Sequence, residues 1–145
     1  MSLSKERLRL WLKLLKASST LEDELRRRLR SEFGSTLPRF DVMSALSRSP
    51  DGLRMSQISE MLRVSNGNVT GIVDKLSDEG LAQRVAVPGD RRASLVMLTD
   101  KGKSAFAEHA AAHEAWIDDL LGGLNQDDIE GMQARLDRLL DTLED

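Results

Sequence analysis

Apolar residues in the first stretch of the chain recur at steps of three and four: Leu8, Trp11, Leu12, Leu15, Leu25, Leu29 and Phe33. That spacing predicts an amphipathic helix over 4–33, about eight turns long. So long a stripe is more than one small core can cover, and it points to a second chain. Arg26, Arg27, Arg28 and Arg30 crowd the later turns, and Gly34 ends the helix.

A second helix starts at Thr36-Leu37-Pro38, with Thr36 or Leu37 as cap and the proline in its first turn. Phe40, Met43 and Leu46 form its inner face. Pro50-Asp51-Gly52 is a turn. Ser56 is expected to cap a short helix that turns Ile58, Met61 and Leu62 inward. After a break at Val64, Ser65 caps the next helix, which Gly80 ends. The period then changes. Residues 83–87 and 94–98 read as strands joined through Pro88-Gly89-Asp90, a hairpin. Thr99 caps a helix over 100–121, Gly122-Gly123 breaks it, and Asn125 caps a last helix. Asp127 and Asp128 stand at that helix's positive end, and Ile129, Met132, Leu136, Leu139, Leu140 and Leu143 form its stripe. Two helices joined by a short turn and followed by a hairpin make a winged helix-turn-helix. The expected fold class is mainly α with a small β wing, plus a helical dimerisation region.

The helix after Ser65 carries the most informative pattern. Val69, Ile72, Val73 and Leu76 share one face; Gly67, Gly71 and Asp74 lie opposite, flanked by Asn68, Thr70 and Lys75. Asn can pair with adenine, and Thr can offer its hydroxyl or its methyl to a base edge. Glycine inside a helix costs about 1 kcal/mol relative to Ala. Two of them facing outward suggest a partner that approaches closely, although a polar surface helix would show much the same pattern. Asp74 would repel phosphate, which places contact on the first two turns. Arg91 and Arg92, with Asp90, form a basic hairpin tip. Such a tip can enter the minor groove, where the negative potential favours Arg; alone it would read as a solvated charged turn, but its place about 10 to 15 residues after a helix-turn-helix favours the groove.

Composition taken whole opposes nucleic acid, since 21 Lys+Arg against 24 Asp+Glu leave the 145 residues at a net −3. The charges are segregated, however. Residues 1–103 hold 19 basic and 13 acidic side chains, a net +6, whereas 104–145 are at net −9. With no cysteine there is no disulfide, thiolate catalysis or cysteine-held metal. No apolar run reaches the roughly 18 residues that span a bilayer. Charged residues at once after the start argue against a signal peptide, so a cytoplasmic location is expected.

Residues from Leu37 to Gly102 resemble the winged helix-turn-helix of the MarR (multiple-antibiotic-resistance regulator) family. The likeness rests on Ser65 to Leu76, Glu79-Gly80-Leu81, Arg84, Asp90-Arg91-Arg92 and Leu98-Thr99-Asp100-Lys101-Gly102. The flanking helices match by pattern. The resemblance implies an obligate homodimer on a near-palindromic double-stranded DNA site. Residues 1–35 and 100–145 would form the dimerisation region and 36–99 the DNA-binding region. It also implies a repressor released by a small aromatic ligand held between the two regions. By the same carry-over, Asn66, Gly67, Asn68 and Thr70 would read the major groove. Arg92, with Arg91 beside it and Asp90 in support, would enter the minor groove. Ser56 and Ser65 would touch phosphate, although capping alone explains both. Leu37-Pro38-Arg39-Phe40-Asp41, Gly52-Leu53-Arg54-Met55 and the stretch from Ser65 to Gly71 are further similar to members that control aromatic-acid catabolism, some of which answer to aryl-CoA thioesters. The chain departs from the family's thiol-based oxidation sensors, having no cysteine.

Trp11, Phe40, Met43, His113 and Trp116 are the candidate ligand contacts, though apolar residues at helical spacing are more often plain core. His109 and His113 share a helix face, but position 110 is Ala rather than the Glu of a zincin, and no third ligand is apparent. No metal, cofactor or enzymatic activity is therefore expected. An architectural DNA-binding protein without an effector remains the alternative.

Overall fold

The structure, a computed structural model, describes residues 2–144, except for the side chains of Asn66, Arg91 and Arg92. Helix α1 (Leu3–Phe33) begins at Ser2, whose hydroxyl accepts the Lys5 N–H. It ends at Gly34, which takes the left-handed conformation that closes a helix without a Cβ penalty. Leu25 and Leu29 are buried, while Leu8, Trp11, Leu12 and Leu15 stand exposed, Trp11 at 55%. Helix α2 (Leu37–Ser47) is capped by the Thr36 hydroxyl, with Pro38 in its first turn. Phe40, Val42, Met43, Ala45 and Leu46 are buried.

A two-residue strand, β1 (Leu53–Arg54), precedes helix α3 (Met55–Leu62). Ser56 is therefore not the cap: α3 begins one residue before it, and the Arg54 N–H is taken by the Gln57 side chain at 2.8 Å. Pairing of Leu53 with Val96 fixes the chain up to Arg54, so the helix must start immediately afterwards. Met61 also departs from expectation. It is 51% exposed, because Ile58 sets the buried side of this short helix and Leu62 packs beside it.

Helix α4 (Asn66–Asp78) follows the turn at Arg63 to Ser65, with Ser65 as cap. Strands β2 (Ala82–Val87) and β3 (Asp90–Leu98) run antiparallel, and the sheet order is β1-β3-β2. Strand β3 starts earlier than expected. Ser94 stands opposite Ala86 and Asp90 opposite Val87, so the register slips near the tip, and Arg91 and Arg92 lie within the strand rather than in the turn. Helix α5 (Asp100–Leu120) and helix α6 (Gln126–Glu144) complete the chain. Thr99 caps α5 through the Gly102 N–H at 3.0 Å. Asn125 and Asp128 cap α6 reciprocally, side chain to backbone, at 2.9 and 3.1 Å.

One core holds the helix-turn-helix and wing together. Met43, Leu46, Ile58, Val69, Val73, Leu76 and Val96 are essentially without exposed surface, and the ring of Phe106 packs against this cluster. The chain divides into two units, Met1–His113 and Glu114–Asp145, with the division inside α5. In the second unit, α6 buries no residue, and its whole apolar stripe from Ile129 to Leu143 is exposed.

Candidate nucleic-acid interface

The buried face of α4 determines what its other face presents. With Val69, Val73 and Leu76 turned into the core, Gly67, Asn68, Thr70, Gly71, Asp74 and Lys75 are all exposed. A Cβ added at Gly67 or Gly71 would meet no atom within 4 Å. Among the described residues, no packing contact requires glycine at either place. The Ser65 hydroxyl accepts the Asn68 N–H at 3.3 Å, which leaves other first-turn N–H groups directed outward. Ser56 is exposed in the first turn of α3.

Arg84 on β2 reaches back to Asp74 on α4 at 2.5 Å. The charge expected to repel phosphate is thus offset by a guanidinium, and the pair joins helix to wing. The wing turns at Pro88-Gly89, with Gly89 at φ +83°. Asp90 is exposed beside the turn. The side chains of Asn66, Arg91 and Arg92 lie outside the described residues, and with them the support that Asp90 is expected to give Arg92.

Sequence reasoning missed the contacts that hold the far end of α4. Arg39 on α2 is hydrogen bonded to the carboxylate of Glu79, the C-cap of α4, and holds that carboxyl below its usual range. Lys101 donates to the Glu79 carbonyl at 3.0 Å, and the Thr99 hydroxyl donates to the Gly80 carbonyl at 2.6 Å. Gly102 is obligatory here, because a Cβ would fall 1.9 Å from the Leu81 carbonyl oxygen. The stretch Leu98 to Gly102 carried this signal as a motif, but only the three-dimensional neighbours give it a mechanical meaning.

The five candidate ligand residues are placed differently from one another. Phe40 stacks on His113 with centroids 4.7 Å apart and packs on Phe106 at 5.5 Å. Met43 is inside the core, and Trp11 is exposed on α1. Trp116 is buried and belongs to the second unit. His109 stacks on Phe33 at 4.2 Å, and burial lowers its pKa. Burial also raises Asp41, against the nearby charge of His113. A separate cleft of about 680 Å³ runs beside α4, bounded by Thr36, Arg39, Asn68, Ile72, Lys75 and Glu79 among others. None of the five residues lines it. Among the described residues no group of three His, Cys, Asp or Glu could hold a metal ion, and no helix is long and apolar enough to cross a membrane.

A helix-turn-helix whose second helix shows a polar, glycine-lined face, followed at once by an antiparallel hairpin, defines a winged-helix protein of the kind that docks in a DNA groove. Known proteins agree. The model of the MarR family matches residues 33–93. A MarR family transcriptional regulator from Silicibacter pomeroyi, known from its crystal structure, is 31% identical; the match covers 99% of each chain with a TM-score of 0.80. The transcriptional regulator MhqR of Bacillus subtilis (strain 168) is 26% identical over 94% of this chain and 93% of its own. The crystal structure of Streptococcus pneumoniae FabT in complex with DNA has the same fold, with a TM-score of 0.78 over 95% of this chain and 97% of that one, at 24% identity. The chain belongs to the MarR family and is a transcriptional regulator of that family.

Proposed function

We propose that this regulator acts in the cytoplasm as a homodimer on a near-palindromic double-stranded DNA site. Each α4 would enter a major groove and each wing an adjacent minor groove, with half-sites about 10 bp apart or a multiple of that. The observation that carries this reading is the outward pair Gly67 and Gly71, open to within 4 Å. Their helix cost of about 1 kcal/mol each has no compensation among the described residues, and a close-fitting surface would supply one. Asn66, Asn68 and Thr70 would read bases, Ser56 and Ser65 would touch phosphate, and Arg92, with Arg91 and Asp90, would occupy the minor groove. Residues 36–99 then form the DNA-binding region. Residues 1–35 and 100–145 form the dimerisation region, whose exposed stripes on α1 and α6 a second copy would cover.

Regulation would be repression, relieved by a small aromatic acid or aryl-CoA. The stacked rings of Phe40 and His113 support an aromatic effector near them. Anisotropy titration of DNA from beside the protein's own gene tests the reading, with sedimentation to count subunits. Saturable binding of two subunits, reversed by one compound of an aromatic-acid and acyl-CoA panel, is the expected result. Tight binding that no compound reverses would identify an architectural protein instead, and absence of any preferred sequence would overturn the proposal.

A further inference from the structure

The last turn of α4 is gripped from two sides. From α2, Arg39, only 20% exposed, pairs with the Glu79 carboxylate. From the start of α5, Lys101 takes the Glu79 carbonyl and Thr99 the Gly80 carbonyl. These are carbonyls that a helix end leaves without intrahelical partners, and a cation there is favoured by the helix dipole. Arg39 also adjoins Phe40, whose ring lies on Phe106 and His113 of α5. Neighbouring residues in one turn of α2 therefore reach the reading helix and α5.

We propose that Arg39 and Lys101 are positioning residues for DNA reading: by holding Glu79 from α2 and α5 they set the tilt of α4 in the groove without touching DNA. The inference rests on α4 being the reading helix. Groove recognition tolerates little misorientation, so losing the grip should harm sequence reading before it harms the sequence-independent attraction to phosphates. A phosphate contact would behave in the opposite way, since it carries the salt dependence.

The test measures binding of the full-length protein to its preferred site and to unrelated duplex across a range of salt. The variants are Arg39→Gln, Glu79→Gln, the double variant and Lys101→Met, each checked by thermal melting. Arg39→Gln and Glu79→Gln should each weaken specific binding about tenfold, leave unrelated DNA unaffected and keep the salt slope. The double variant should be no worse than either single one, as expected for two halves of one interaction. Lys101→Met removes only an exposed donor, keeps the fold if an Arg39 variant does not, and should show the same pattern to a smaller extent. A slope reduced by about one, with equal loss on both DNAs, would make Arg39 a phosphate ligand and overturn the proposal. Unchanged specific binding in Glu79→Gln and Lys101→Met would overturn it too. If the unaltered protein has no preferred site, it is the DNA reading itself that fails.

Discussion

The helix-turn-helix with its wing and the two helical arms are built from similar residues but finished differently. In the first, Leu46, Ile58, Val69, Val73, Leu76 and Val96 are enclosed by their own chain. In the arms, Leu8, Trp11, Leu12 and Leu15 of α1 and the stripe of α6 are periodic yet exposed. Apolar side chains at helical spacing are left in water at a cost of about 25 cal/mol per Å². The wing region is therefore enclosed within one chain, whereas the arms leave apolar stripes exposed, which in the proposed dimer a second copy would cover. The largest expected effect tests this directly. Leu76→Ala should cost 2–5 kcal/mol in urea unfolding, roughly the range for a fully enclosed leucine. Leu136→Ala, at a site 41% exposed, should change unfolding by under about 0.5 kcal/mol in dilute protein but weaken self-association. Equal costs at low concentration would erase the distinction.

The glycines make a second comparison, with smaller effects. Gly102→Ala must push a Cβ against the Leu81 carbonyl, so a loss of about 1–3 kcal/mol is expected from the helix start shifting away. Gly71→Ala meets open space and should raise stability by about 1 kcal/mol. It should at the same time weaken binding to the preferred DNA site about tenfold, ~1.4 kcal/mol. Thermal melts paired with anisotropy read both. A Gly71→Ala protein that gains stability and binds as before would show that nothing approaches this face closely.

These contrasts also separate what was legible in the sequence from what was not. Thr36, Ser65, Thr99 and Asn125 each announce a helix start, because a cap acts over three residues and is local. The buried faces of α2 and α4 follow from spacing alone. Strand β1 is two residues long and has no period to detect. Ser56 had the right chemistry for a cap, but the pairing of Leu53 with Val96 started the helix before it. Met61 kept helical spacing in a helix too short to bury two sides. The early start of β3 depends on the register slip near Ala86, a property of two strands together. Arg39 and Glu79 stand 40 residues apart, and no pattern along the chain connects them.

The smallest expected effect concerns the packing of α5 on α1, where His109 lies on Phe33. Its buried Nδ1 has no hydrogen-bond partner among the described residues. Burial lowers its pKa most, Arg39 adds to that, and Glu108 opposes it. The folded state thus prefers the neutral ring, while the unfolded chain takes up its proton near pH 6.5. Stability contributed by the neutral ring is full above that pH and is lost as pH falls toward the lower folded value, levelling off below it. Asp41 acts in the opposite sense: raised by burial, it favours the folded state as pH falls. The two are separated by substitution, since His109→Gln removes the histidine's part alone. Melting temperature should decline from about pH 7.5 to 5.5, and His109→Gln should flatten that decline while leaving the slope below it in place. An unchanged profile in His109→Gln would mean that the ring is solvated where it lies, and that α5 meets α1 there less tightly than the stacking on Phe33 indicates.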